Sequence, residues 1–189
     1  MAIFYINPTY ATNGDGTTKA EASGAGLAGA YNTWDGLTLT TGNSFLQLAG
    51  TTCNVANRIA CFQANVSMDA YTASTDYSYA GSTRPKIISS APEPNPYALH
   101  ITNSAATGFT VKNLDISMDV AIVSDTTRDF VISPADPLLD MNLLAENCAF
   151  HRAGLNNIRI FGSGVTIRDC EIYDCNNDCI YGEASDITI

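Results

Sequence analysis

Positive charge is scarce in this chain. Nine Lys and Arg stand against nineteen Asp and Glu, a net of −10, and Lys19, Lys86 and Lys112 are the lysines. Such a surface repels a phosphate backbone, which excludes nucleic acid as a partner. Charge of either sign is thin, at 15 % of residues where a quarter is usual, so the polar surface falls to Thr, Ser and Asn. No apolar run approaches the roughly 20 residues of a membrane span, and the opening "MAIFYINPTYATNGDG" has no basic segment followed by an apolar one. Neither a membrane partner nor a secretory leader is therefore expected. The six cysteines, at 53, 61, 148, 170, 175 and 179, are even in number, but 189 residues can bury a core without a disulfide framework. Buried thiols are the expectation, within one domain spanning residues 1–189.

What the sequence does contain is repetition. In "GVTIRDCEIYDCNNDCIYGEASDITI", residues 164–189, Val165-Thr166-Ile167 returns as Ile187-Thr188-Ile189, a shift of 22 (188 − 166). The same shift lays Ile158 on Ile180, Asn156 on Asp178 and Cys148 on Cys170. An earlier copy, "GFTVKNLDISMDVAIV", puts Asn113 at the position of Asn147 and Asp169, but 34 residues (147 − 113) before the next copy. The twelve additional residues imply an inserted loop. The stretch 124–137, "SDTTRDFVISPADP", is its expected place, because two prolines break regular structure.

The runs are short, alternating and rich in Val, Ile and Thr, which makes them strands rather than helices. Three short strands and their turns fill about 22 residues, so each copy is one turn of a parallel coil whose equivalent residues stack about 4.8 Å apart. Val, Ile, Leu and Cys then form inward columns, and Asn or Asp at the shared turn bridges to the next coil or adopts a left-handed conformation. Cys148 and Cys170 are expected one coil apart in one column.

These coils resemble the right-handed parallel β-helix superfamily of pectate lyases, polygalacturonases and phage tailspikes. "FYINPTYATNGDGTT", "TTGNSFLQLAGTT" and "GSTRPKIISSA" are similar to the opening, the strand leading in and the Arg-Pro element of such proteins. The resemblance implies an all-β, single-stranded solenoid. An N-terminal cap and leading strand would occupy 1–50, irregular first coils 51–97 and regular coils 98–189. An apolar coil end at Ile189 leads to the expectation that the chain continues or is covered by another chain.

"NNDCIYGEASDITI" resembles the polygalacturonase segment that holds paired aspartates, with Asn177 at the first and Asp178 at the second. The residues themselves suggest another pair, Asp119 with Asp178, read as starting the same strand two coils apart. Their backbones would lie roughly 10 Å apart, within reach of the ~6.5–9.5 Å carboxyl separation of inverting glycosidases. Arg159 and Tyr181 point outward beside the inward Ile158 and Ile180, where they can meet an acidic sugar and its ring. Tyr77 and Tyr79, with Tyr71, offer sugar-stacking faces or plug the first coils. His151 reads as a turn residue with a structural role. No calcium-loop or zinc spacing is present, so no cofactor is expected; Ca²⁺ belongs only to a lyase reading and has no assigned ligands.

The expected function is that of a phage virion attachment protein, a tail fibre or tailspike part, that binds host cell-surface polysaccharide. Other virion tail proteins are its further partners, a homotrimer its expected assembly, and the virion tail its location. The alternative is a secreted, extracellular polysaccharide lyase or glycoside hydrolase.

Overall fold

A computed structural model describes residues 1–73, 83–92, 97–102, 106–119, 127–132, 140–183 and 186–189. In chain order its strands are β1 (Ile3–Ile6), β2 (Ser44–Leu48), β3 (Thr52–Val55), β4 (Ile59–Cys61), β5 (Ser67–Tyr71), β6 (Lys86–Ser89), β7 (Tyr97–Ile101) and β8 (Thr110–Lys112). There follow β9 (Asp115–Met118), β10 (Arg128–Ile132), β11 (Asp140–Glu146), β12 (Ala149–His151), β13 (Asn156–Ile160), β14 (Ser163–Arg168), β15 (Glu171–Tyr173), β16 (Ile180–Gly182) and β17 (Ile187–Thr188). Sheet A has the order β1-β2-β5-β8-β11-β14-β17, sheet B β15-β12-β9-β6-β3 and sheet C β16-β13-β10-β7-β4. From β2 onward successive strands visit A, B and C in turn, and the pairings between named strands are parallel. This is a right-handed parallel β-helix, all-β and single-stranded, as the resemblance implied.

The inward columns are continuous through the stack. Sheet A runs Phe45, Met68, Val111, Ala145, Ile167. Sheet B runs Cys53, Ile87, Ile116, Phe150, Ile172, and sheet C Ile59, Leu99, Phe130, Ile158, Ile180. Phe130 and Phe150 stack at 5.6 Å between ring centres, tying sheet C to sheet B. In the last coil Ile172, Ile180 and Ile187 are only partly buried.

Residues 7–43 form no strand, and they send Trp34 and Leu39 into the core beside β2 and β4. Trp34 Nε1 donates to Gln47 Oε1 at 2.6 Å, and Gln47 passes the bond on to the Lys86 carbonyl at 3.1 Å. The Asn-Gly-Asp-Gly turn works by close approach: a Cβ on Gly14 would stand 2.5 Å from the Gly29 carbonyl oxygen. Asp15 Oδ1 accepts from the Thr17 hydroxyl at 2.6 Å and from the amides of Thr17 and Gly29, which together hold its carboxyl below the ordinary value.

Two expectations need correction. The stretch 124–137 is not simply a loop, since Arg128–Ile132 within it is β10, a fully buried strand paired with β7 and β13. The extra residues lie on both sides of that strand: nine separate β9 from β10 and seven separate β10 from β11, against four and two in the following coil. The buried-thiol expectation fails for Cys175 and Cys179, which are joined across the turn between β15 and β16 with Cα atoms 5.6 Å apart, inside disulfide range. The other four cysteines are free, and of these Cys53, Cys61 and Cys148 are buried. Burial raises the Cys148 thiol, whereas its hydrogen bond with Cys170, with help from Arg84, brings Cys170 down to about 7.

The turn position behaves as its composition suggests. Asn113, Asn147 and Asp169 all have positive φ, of 56°, 51° and 54°. Asn147 Nδ2 donates to Asn113 Oδ1 at 2.7 Å, and Asn113 Nδ2 donates to Asp69 Oδ1 at 2.6 Å. Arg84 braces this ladder from outside, its Nε on the Asn147 carbonyl at 2.8 Å and its Nη1 on Glu171 at 2.9 Å. Asn147→Ala loses the ladder and forces an alanine into a left-handed conformation, at about 2–3 kcal/mol by urea unfolding. Asn147→Gly keeps the backbone and should lose about 1 kcal/mol less. Equal losses would show that the φ angle contributes nothing.

Candidate functional site

Strand parity places Arg159 and Tyr181 on the outside of sheet C, one coil apart in direct register. The Arg159 guanidinium carbon lies 4.3 Å from the centre of the Phe161 ring and 5.5 Å from that of Tyr181. Its Nε is buried and meets no hydrogen-bond acceptor among the described residues. Among the described residues Arg159 meets no carboxylate within ion-pair distance. Leu155, Asn156 and Asn177 complete a shallow pocket of about 130 Å³ with these two side chains. Tyr181 donates its hydroxyl to the Glu183 carboxylate, which raises the phenol and fixes the ring. Asn156 Nδ2 donates to the Asp178 carbonyl at 3.2 Å, so the pocket wall is pinned from coil to coil. A flat aromatic face, a guanidinium without a carboxylate partner and side-chain amides suit a ring-shaped polar ligand with an acidic group.

Asp119 and Asp178 do not form the expected pair. Asp119 follows β9, its amide bonded to the Ser89 carbonyl at 2.8 Å as the chain leaves sheet B. Asp178 precedes β16, where the register stacks it over Asn156 and then Arg128 of sheet C. The two acids lie at different points around the coil, because β10 supplies Arg128 at the position that had been given to Asp119. Tyr77 and Tyr79 lie outside the described residues. Among the described residues, no three His, Cys, Asp or Glu side chains are grouped to hold a metal ion.

Three polar residues, Asp129, His151 and Asn157, are buried in β10, β12 and β13. His151 ends β12 rather than lying in a turn. Its Nε2 is 2.7 Å from Asp115 Oδ1, and its ring stacks 4.9 Å from Tyr173. Asp129 is fully buried in β10, and both its carboxyl oxygens lack a well-formed hydrogen bond. Burial pushes its pKa well above the carboxylate range; the Met118 amide opposes this, and Asp115 and Asp174 reinforce it. One coil on, Asn157 donates to the carbonyls of Phe150 at 3.1 Å and Tyr173 at 2.6 Å. A protonated Asp129 is the nearest acidic mimic of that amide. With no solvent exposure it cannot touch a substrate, so its role is structural.

A group whose folded pKa is raised gives its full stabilisation below the unfolded value, near 3.9, and loses it as pH climbs toward the folded value. Asp129→Asn should therefore match wild type in stability near pH 3.5 and exceed it increasingly above pH 4, by about 1–3 kcal/mol at pH 7. Thermal unfolding across that range measures this. Parallel pH profiles for the two proteins would mean that Asp129 is not held protonated.

A family model described as a right handed beta helix region matches residues 97–189. No curated protein and no solved structure matches the chain.

Proposed function

We propose, from the match of residues 97–189 to a right handed beta helix region, that this chain is the β-helical part of a virion attachment protein that binds host surface polysaccharide through sheet C. The observation that carries the binding reading is Arg159, which lies against Phe161 and Tyr181 at a pocket and meets no carboxylate among the described residues of a chain of net charge −10. A guanidinium left without an acid partner amid an acid excess is a group kept for a ligand. The solenoid supports the attachment role by its stiffness, since each coil is bonded to the next through three sheets. A binding scaffold also agrees with Asp119 leaving sheet B while Asp178 leads into sheet C, an arrangement other than the facing acid pair of an inverting hydrolase. Homotrimeric assembly belongs to the same proposal, because threefold repetition multiplies weak sugar contacts.

Purified surface polysaccharide of the host, the protein and its Arg159→Ala and Tyr181→Ala variants test this. Each variant should lose at least about tenfold in affinity, about 1.4 kcal/mol, with unchanged native mass near three chains. New reducing ends released by the wild-type chain, or undiminished binding by Arg159→Ala, would overturn the reading.

A further inference from the structure

Sheet C carries a second arginine in the same situation. Arg58 immediately precedes β4 and meets no carboxylate among the described residues. Its Nη1 lies 3.3 Å from Nδ1 of His100. Burial, followed by Arg58 itself, lowers His100 to about 4, so that contact is with a neutral ring and leaves the guanidinium charge uncompensated. The neighbouring acid, Asp35, is occupied elsewhere, accepting from the amides of Ala56 and Asn57 at 2.9 and 3.1 Å.

Beside Arg58 is a cavity of about 330 Å³, formed where residues 36–39 fold back against β4. Its walls are Trp34, Leu37, Leu39 and Ile59, and Asn57 and Gln63 bring side-chain amides. Phe62 also lines it while remaining 45 % exposed, one of the few large apolar side chains left in solvent. The volume lies in the range of small-ligand pockets, and the lining pairs an apolar floor and an aromatic face with a small set of polar groups, as such pockets do.

We infer that this cavity is a second saccharide subsite, selective for a sugar ring that bears a carboxylate: the ring packs on Phe62 and its acid group meets Arg58. The inference rests on the glycan-binding reading and deepens it, placing a subsite at the opposite end of sheet C from Arg159. Strands β7 and β10 lie between β4 and β13, so the two pockets are about 14 Å apart along the axis. Selectivity follows from chemistry: a guanidinium rewards a carboxylate with a charge-assisted bidentate contact that a neutral hydroxymethyl cannot make.

The test is a titration of the ¹⁵N-labelled full chain with methyl glycosides of glucuronate, galacturonate and N-acetylneuraminate, alongside methyl glucoside and galactoside. At least one acidic sugar should shift the Phe62 and Gln63 amides saturably, about tenfold more tightly than the neutral sugars. Arg58→Gln should abolish that discrimination, Arg58→Lys should restore part of it, and Phe62→Ala should weaken both classes. Equal affinity for acidic and neutral sugars overturns the inference. So does a response at Arg159 and Tyr181 without one at Phe62 and Gln63, which would leave the glycan-binding reading standing. No response at either pocket would overturn both.

Discussion

Everything in this molecule depends on parallel strands hydrogen-bonding in register from one coil to the next. The spacing of about 4.8 Å between strands means that each side chain has the same kind of neighbour above and below it. An apolar residue must then continue an apolar column, and Phe130 meets Leu99 on one side and Ile158 on the other. A polar residue withdrawn partly or wholly from water finds a partner in the neighbouring coil, as Asp69, Asn113 and Asn147 do. Asp129 takes the same constraint in another form, since the coil beside it uses an amide donor where Asp129 has only a carboxyl group.

Much of that register was legible in the sequence wherever coil length is constant. The pairings Val165 with Ile187 and Ile158 with Ile180 are those that a shift of 22 implies. Legibility failed where the coil expands. Strand β10 was hidden because it has an Arg-Asp start and is followed by two prolines, while its burial comes from neighbours remote in sequence. The Cys175–Cys179 bond was hidden for a different reason: it depends on how tightly one corner turns, not on any repeat. Once β10 is placed, the proposed Asp119 and Asp178 pair dissolves, since that proposal counted coils across the missing strand.

The arginines and lysines of the outward faces differ in what they meet. On sheets A and B, Lys112 and Arg168 share Glu146, Lys86 meets Asp115, and Arg84 meets Glu171. On sheet C, Arg58 and Arg159 face a neutral imidazole and aromatic rings instead. Parity made Arg159 and Tyr181 readable in advance. Phe161 escaped notice because it lies one residue past its strand, and the Arg58 cavity escaped because residues 36–39 reach it from the strand-free segment between β1 and β2. Arg58 and Arg159 thus stand on one face, where an anionic ligand can meet them without displacing a carboxylate of the described residues.

The most direct test of the stacking account is an interstrand nuclear Overhauser measurement centred on β10. Parallel, in-register pairing predicts amide-to-Hα cross-peaks linking the Phe130 region to β7 around Leu99 and to β13 around Ile158, together with slow amide exchange from Arg128 to Ile132. Fast exchange through those residues, or the Hα–Hα pattern of antiparallel neighbours, would contradict the coil path and with it the placement of Arg58 and Arg159 on one face.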